Sequence, residues 1–112
     1  MTDKKFNDDT VLDNSVITKR EEKVKKPRMW KVIFLNDDFT TVEFVVDMLK
    51  KHFRHSEEGA VMLAQTVHTK GSAVAGVYQF EVSETKAQAV LQEAKAKEFP
   101  LQVVLQPEKG ED

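Results

Sequence analysis

The sequence predicts a two-layer α/β (α+β) domain, in which helices cover one face of a three-stranded sheet in the order β-α-α-β-α-β. Three short segments are rich in β-branched and aromatic residues, as strands are. Three longer segments repeat apolar residues at helical spacing. Turn-forming Asn, Asp, Gly or Pro separates these segments, and 112 residues suffice for one hydrophobic core but not for two.

Residues 1–28 are predicted to form a flexible N-terminal arm, ahead of a core domain over residues 29–106. The arm holds eight Lys/Arg, six Asp/Glu and only seven apolar residues. So few apolar side chains do not offset the entropy lost on ordering the chain. Composition alone leaves two roles open for this arm, a solubilising tail or a segment that engages a partner.

The first strand is predicted at Met29–Leu35, which is dense in apolar residues. A polar turn follows at residues 36–38. Thr40 is then the expected N-cap of the first helix, because Glu43 three residues later completes a capping box. The apolar face of this helix is predicted to comprise Val42, Val45, Val46, Leu49 and Phe53.

The second helix is predicted to begin after Ser56 and to end at Gly71 in the left-handed conformation. A strand is expected over residues 73–82, where Gly76 indicates a bulge or a close backbone approach. The apolar face of the second helix is predicted to comprise Ala60, Leu63, Ala64 and Val67.

Ser83 is the predicted cap of the third helix, and the last strand is predicted at residues 101–105. Residues 107–112 are expected to form a frayed polar tail. The apolar face of the third helix is predicted to comprise Ala87, Val90, Leu91 and Ala94.

Composition argues against several functional classes. Cysteine is absent, which excludes disulfides, thiolate nucleophiles and thiolate metal sites. The net charge of −2 lacks the basic surplus of a general nucleic-acid binder. No apolar run approaches the roughly 20 residues of a membrane span, and no secretory signal is recognised, so a cytoplasmic location without membrane association is expected.

Two groups of polar residues are candidates for a site. Residues 36–38 (Asn-Asp-Asp) lie between a buried strand and a helix, where binding residues often occur, although a simple turn explains them equally. His68 lies near the C-terminal end of the second helix, where histidine is also favoured as an end residue. Neither a nucleophile elbow nor a phosphate-binding loop is present, so no enzyme is predicted. His52 and His55 lack a nearby third ligand, so no metal or other cofactor is expected.

A recognition site explains these residues better. If Asn36, Asp37 and His68 converge, they offer an amide oxygen, a carboxylate and an imidazole nitrogen as acceptors. An α-ammonium group supplies three donors and a positive charge, and capture of a chain terminus is an established mode of peptide binding. A hollow beneath them would be lined by Val42, Val45, Ala64, Val67 and Leu101. Residue spacing alone does not establish this convergence.

Several sequence motifs resemble those of the ClpS family, the adaptors of the bacterial Clp protease. The resemblance extends from about residue 27 to residue 106. Its motifs are KVIFLNDDFTTVEFV at residues 31–45, AQTVH at 64–68, Gly71, GVY at 76–78, ETK at 84–86 and FPL at 99–101.

This resemblance implies a fold like the C-terminal domain of the ribosomal stalk protein, with an antiparallel sheet. It implies an adaptor that binds N-degrons beginning with Leu, Phe, Tyr or Trp and delivers them to a Clp AAA+ unfoldase such as ClpA. Asn36, Asp37 and His68 would hold the α-amine, and the arm would take part in delivery. The side-chain pocket would comprise Val42, Val45, Met62, Ala64, Val67 and Leu101, and the unfoldase contact Glu81, Glu84 and Lys86.

The pocket departs from the usual family pattern at two positions. Val42 stands where many members carry Met, and Ala64 replaces a larger residue of some members. We hypothesise a roomier pocket that favours Trp or Tyr.

Two alternative functions stay open. An interaction domain of the translation machinery would not require a terminal amine, and a small hydrolase using Asp37 and His68 would turn its peptide over.

Overall fold

The computed structural model describes residues 28–108, which form three strands and three helices in the predicted order. The predicted arm lies outside these residues except for Arg28, and residues 109–112 of the predicted tail lie outside them as well. The elements are β1 (Met29–Leu35), α1 (Val42–Phe53), α2 (Glu57–Lys70), β2 (Ser72–Gln79), α3 (Phe80–Ala96) and β3 (Gln102–Pro107).

The sheet has the strand order β2-β1-β3, and both pairings are antiparallel, which confirms the predicted fold class. Because β1 is central, its side chains Val32 and Phe34 are almost fully buried against the helical layer. Phe34 also meets Phe53 of α1 edge to face, with ring centroids 5.6 Å apart. The core therefore lies between the helices and one face of the sheet.

Gly76 lies beside a bulge in β2 and also permits a close approach, so both expectations for it hold. Val32 pairs with Gly76 and Ile33 pairs with Val74, which leaves Ala75 without a partner residue on β1. A Cβ atom on Gly76 would lie 2.5 Å from the hydroxyl oxygen of Tyr78. Any other residue here would therefore displace the Tyr78 ring.

Helix α1 begins one residue later than predicted, since Thr41 is its N-cap and accepts a hydrogen bond from the Phe44 N–H at 3.1 Å. The prediction of Thr40 as cap is wrong because the Thr40 hydroxyl donates to Asp37 instead. The buried face of α1 is also rotated relative to the predicted one, because Val42, a predicted member of that face, is half exposed. The buried residues of α1 are Phe44, Val45, Met48, Leu49 and Phe53.

Both ends of α2 are as predicted. The Ser56 side chain accepts from the Gly59 N–H at 3.1 Å, and Gly71 follows the helix with φ of 94°. The Gly71 N–H donates to the carbonyl oxygen of Val67 at 2.9 Å, which completes the left-handed cap. The buried residues of α2 are Ala60, Ala64 and Val67, and Leu63 packs against them.

Helix α3 begins at Phe80, so the predicted cap at Ser83 and the predicted strand up to residue 82 are wrong. Ser83 is fully buried, and its hydroxyl approaches the carbonyl oxygens of Trp30 and Tyr78 at 3.1 and 3.2 Å. The Phe80 ring packs edge to face on Trp30, with centroids 5.0 Å apart. The contacts with Trp30 join residues distant in sequence, so the local pattern at residues 80–82 could not predict them.

Strand β3 continues two residues beyond the prediction. Gln106 pairs with Lys31, Pro107 pairs with Trp30, and the N–H of Glu108 donates to the Met29 carbonyl oxygen at 2.8 Å. A proline is tolerated here because β3 is an edge strand.

Candidate functional site

A cleft of about 530 Å³ opens between the loop after β1, the first turns of α1 and the second half of α2. Backbone pairing explains why these segments meet, since the N–H of Asn36 donates to the carbonyl oxygen of Gly71 at 2.9 Å. This bond places the end of α2, with His68, beside the loop. The cleft is lined by Asn36, Asp37, Asp38, Phe39, Thr40, Thr41, Val42, Glu43, Val45, Ala64, Val67 and His68.

The structure thus brings together Asn36, Asp37 and His68, the residues expected to hold an α-amine. Asn36 and His68 are exposed, whereas Asp37 is half-buried. Residues 36 and 37 come from the loop after β1, and His68 comes from the last turn of α2. Their side chains can offer an amide oxygen, a carboxylate and an imidazole nitrogen to one ligand group.

The Asp37 carboxylate also organises its own loop. Its Oδ1 accepts from the backbone N–H groups of Phe39 and Thr40, each at 2.7 Å. Its Oδ2 accepts from the Thr40 hydroxyl, also at 2.7 Å. Because an aspartate that bonds backbone groups two and three residues on stabilises a turn, the route from β1 into α1 follows from this side chain.

The electrostatics of Asp37 favour its charged form. Partial burial opposes ionisation, but the hydrogen bonds from the Thr40 hydroxyl and from the N–H groups of Thr40 and Phe39 outweigh it and lower the pKa. The carboxylate is therefore ionised at neutral pH. A cationic ligand would find a fixed negative charge in this cleft.

The apolar part of the cleft combines a buried floor with an open mouth. Val45, Ala64 and Val67 are only 3–6% exposed and belong to the core, whereas Val42 is 49% exposed. The floor is thus held rigidly by core packing, and Val42 borders solvent at the entrance. These four are the members of the predicted side-chain pocket that line the cleft.

The other two predicted pocket residues do not line it. Met62 is 67% exposed on α2, and its carbonyl oxygen accepts from the Thr66 hydroxyl. Leu101 is 5% exposed and lies within the core just before β3. Met62 lies outside the apolar face predicted for α2, and the burial of Leu101 depends on packing between elements that the local sequence does not show.

Five residues that line the cleft were not among the predicted site residues: Asp38, Phe39, Thr40, Thr41 and Glu43. Asp38 is exposed, and its side chain makes no hydrogen bond within the described residues. Phe39 is 74% exposed, which is unusual for a large aromatic side chain. All five lie within three positions of a predicted site residue, and Asp38 belongs to the polar block at residues 36–38 that the sequence had already indicated.

The predicted unfoldase contact lies at the start of α3, at a shallow groove of about 360 Å³ lined by Glu81, Val82, Thr85 and Lys86. Lys86 is anchored there, since its ammonium donates to the His52 carbonyl oxygen at 2.6 Å and lies 5.1 Å from the Tyr78 ring centroid. Glu84 is exposed on the same helix but does not line the groove.

The two remaining histidines make separate contacts. His52 Nε2 lies 2.7 Å from a carboxylate oxygen of Glu93, and His55 Nε2 lies 2.7 Å from the carbonyl oxygen of Ala75.

Residues 28–108 contain no group of three His, Asp or Glu side chains arranged to hold a metal ion. None of their helices has the length and apolar content required to cross a bilayer.

Comparison with known proteins assigns the family. A family model described as ATP-dependent Clp protease adaptor protein ClpS matches residues 25–104. The chain belongs to the ClpS family. The ATP-dependent Clp protease adapter protein ClpS of Myxococcus xanthus is 46% identical over 100 residues, which cover 88% of this chain and 94% of that protein. Its namesake from Deinococcus radiodurans is 44% identical over 91 residues, covering 81% of this chain and 80% of that protein.

A solved structure shows the same fold. The structure of Agrobacterium tumefaciens ClpS2 bound to L-phenylalaninamide matches with a TM-score of 0.72 and 41% identity, and it covers 74% of this chain and 100% of that chain. The ClpS family model and the curated relatives are named as adaptors of a protease. The chain is accordingly a member of an adaptor family and not of a protease family.

Proposed function

We propose that this chain is an adaptor that binds N-degrons with a bulky hydrophobic first residue (Leu, Phe, Tyr or Trp) and delivers them to a Clp AAA+ unfoldase of the ClpA type in the cytoplasm. The observation that carries the proposal is one cleft with an apolar floor and an acceptor-rich rim. The relative solved with L-phenylalaninamide supports it, because that ligand combines a free α-amine with an aromatic side chain.

The rim matches the chemistry of an α-ammonium. Its three N–H donors would be met by the amide oxygen of Asn36, the carboxylate of Asp37 and the unprotonated imidazole nitrogen of His68. The lowered pKa of Asp37 keeps a negative charge available to the ammonium at neutral pH. Each charge-assisted hydrogen bond of this kind contributes about 1.5–3 kcal/mol.

The floor would receive the first side chain of the substrate. Val45, Ala64 and Val67 form an apolar surface that is fixed by the core. Val42 at the mouth is shorter and stiffer than Met, and Ala64 adds little volume, so the pocket would favour Trp or Tyr. Comparable affinity for Leu-, Phe-, Tyr- and Trp-initiated peptides would count against this preference.

Delivery would use a surface away from the cleft. The groove at the start of α3, with Glu81, Lys86 and nearby Glu84, would contact the N-terminal domain of the unfoldase. Residues 1–28 would engage the unfoldase during transfer of the substrate. Lys86 supports the first assignment, because its anchored ammonium offers a partner a fixed positive charge.

The test is fluorescence anisotropy with a labelled peptide beginning with Phe, titrated with the full chain. Its controls are the same peptide N-acetylated and the same peptide beginning with Ala. We expect micromolar or tighter binding of the free Phe peptide alone, because acetylation removes the charge and two donors, and Ala leaves the floor unfilled. Equal or absent binding of all three peptides would refute the proposal and favour the alternative function, an interaction domain of the translation machinery.

Binding of the Phe peptide is also expected to weaken when His68 is replaced by alanine, because the ammonium would lose one of its three proposed acceptors. The same anisotropy titration would measure the effect, and His68→Gln, which keeps an acceptor, is the control. Unchanged affinity of the alanine variant would remove His68 from the proposed role.

A further inference from the structure

The hydrogen bonds of the Asp37 carboxylate leave little of it for a ligand. A carboxylate offers about four acceptor positions, two on each oxygen. Oδ1 already accepts from two backbone N–H groups, and Oδ2 already accepts from the Thr40 hydroxyl, all at 2.7 Å. One acceptor position remains, and it belongs to Oδ2, the oxygen that Thr40 holds.

We infer that Thr40 is a positioning residue of the proposed amine site, which it serves by fixing Oδ2 of Asp37 so that its free acceptor position meets the α-ammonium. The inference rests on the proposed function, because it assigns Thr40 a role only if the cleft holds an amine. Thr40 is half-buried and lines the same cleft as Asp37.

The direction of the Thr40 hydroxyl bond adds to this role. Because the hydroxyl proton is donated to Asp37, the lone pairs of Thr40 Oγ1 stay free as acceptors. The two side chains therefore present one carboxylate position and one hydroxyl oxygen that are mutually oriented before a ligand arrives. Such preorganisation strengthens binding because less side-chain freedom is lost on association.

Thr41, the next residue, provides a matched comparison. Its hydroxyl oxygen accepts from the Phe44 N–H and caps α1, and it makes no hydrogen bond to Asp37. The two adjacent threonines thus make different hydrogen bonds, since Thr40 donates to the Asp37 carboxylate and Thr41 caps α1. Thr41→Val tests the effect of disturbing the helix start, and Thr40→Val tests the contact with the carboxylate.

The experiment measures affinity for the labelled Phe peptide in a double-mutant cycle. Thr40→Val, which keeps the side-chain shape, is expected to weaken binding by about tenfold, because a charged hydrogen-bond partner is lost. Thr40→Ser, which restores the hydroxyl, should return affinity to within about threefold of wild type. In the Asp37→Asn background, Thr40→Val should change affinity by less than about twofold, since the charge that it positions is gone. Thr41→Val should show no such coupling to Asp37→Asn.

A pH series gives a second readout, which reports on the pKa of the Asp37 carboxylate itself. The Thr40 hydroxyl is the largest of the contributions that lower the pKa of Asp37, so its removal should raise that pKa. The affinity ratio of wild type to Thr40→Val should then grow as pH falls below about 5. The other ionisable side chains that line the cleft are Asp38, Glu43 and His68, and their contributions largely cancel in the ratio because both proteins contain them.

The outcomes separate this inference from the proposed function. If wild type binds the free Phe peptide and Thr40→Val binds equally well, the positioning role is wrong and the proposed function stands. Equal coupling of Thr40→Val and Thr41→Val to Asp37→Asn, or failure of Thr40→Ser to rescue, would also overturn it. If wild type fails to bind, both are overturned.

Discussion

Replacing Asp37 by alanine is expected to weaken binding of a Phe-initiated peptide by about 10- to 150-fold, which corresponds to about 1.5–3 kcal/mol. The substitution leaves the ammonium without its counter-charge. It also removes the acceptor for three hydrogen bonds that shape the loop. Anisotropy titration with the free and N-acetylated peptides would measure the loss, and the difference between the two peptides should largely disappear.

Charge and loop shape are separated by Asp37→Asn, which removes the charge and retains one oxygen acceptor for the backbone. A large loss with this variant would assign the effect to charge. Asp38→Asn tests the neighbouring carboxylate, which also lines the cleft, and Asp47→Asn on the exposed side of α1 controls for net charge. If Asp38→Asn weakened binding and Asp37→Asn did not, the assignment of the counter-charge to Asp37 would be wrong.

Replacing Phe34 by alanine is expected to lower the free energy of unfolding by about 3–5 kcal/mol. Phe34 is 1% exposed at the centre of β1, and it contacts Phe53 edge to face. Its loss would remove apolar burial and one aromatic contact with α1. Since small domains are stable by only about 5–15 kcal/mol, the midpoint of urea unfolding should fall strongly.

Phe39→Ala is the matched control, because the same side chain is removed at a position that is 74% exposed. Its effect on the free energy of unfolding should stay within about 0.5 kcal/mol. Similar losses for the two variants would contradict the assignment of Phe34 to the core. Circular dichroism during urea unfolding would follow both.

Local chemistry in the sequence determined most of the fold. Strand β1 and the two ends of α2 follow from runs and caps that act over a few residues, namely the apolar run at Met29–Leu35, Ser56 and Gly71. The order of elements and the polar block after β1 are also sequence properties. For the same reason, the motifs that resemble the ClpS family could be recognised from the sequence alone, and the family match over residues 25–104 confirmed the resemblance.

Tertiary structure decided the features that depend on contacts between distant residues. Ser83 is buried and does not cap a helix, because its hydroxyl donates to the carbonyl oxygen of Trp30 in β1, 53 positions earlier in the chain. The convergence of His68 with the loop after β1 required the bond from Asn36 to Gly71.

The different hydrogen bonds of Thr40 and Thr41 were also not predictable from the sequence, in which Glu43 favours Thr40 as the cap. Which threonine caps α1 was decided by the Asp37 carboxylate, which takes the hydroxyl proton of Thr40 and leaves Thr41 to accept from the helix. A local pattern records which groups a residue carries. Only the folded chain fixes which of the competing donors and acceptors lie within hydrogen-bonding distance, because that distance is set by packing throughout the domain.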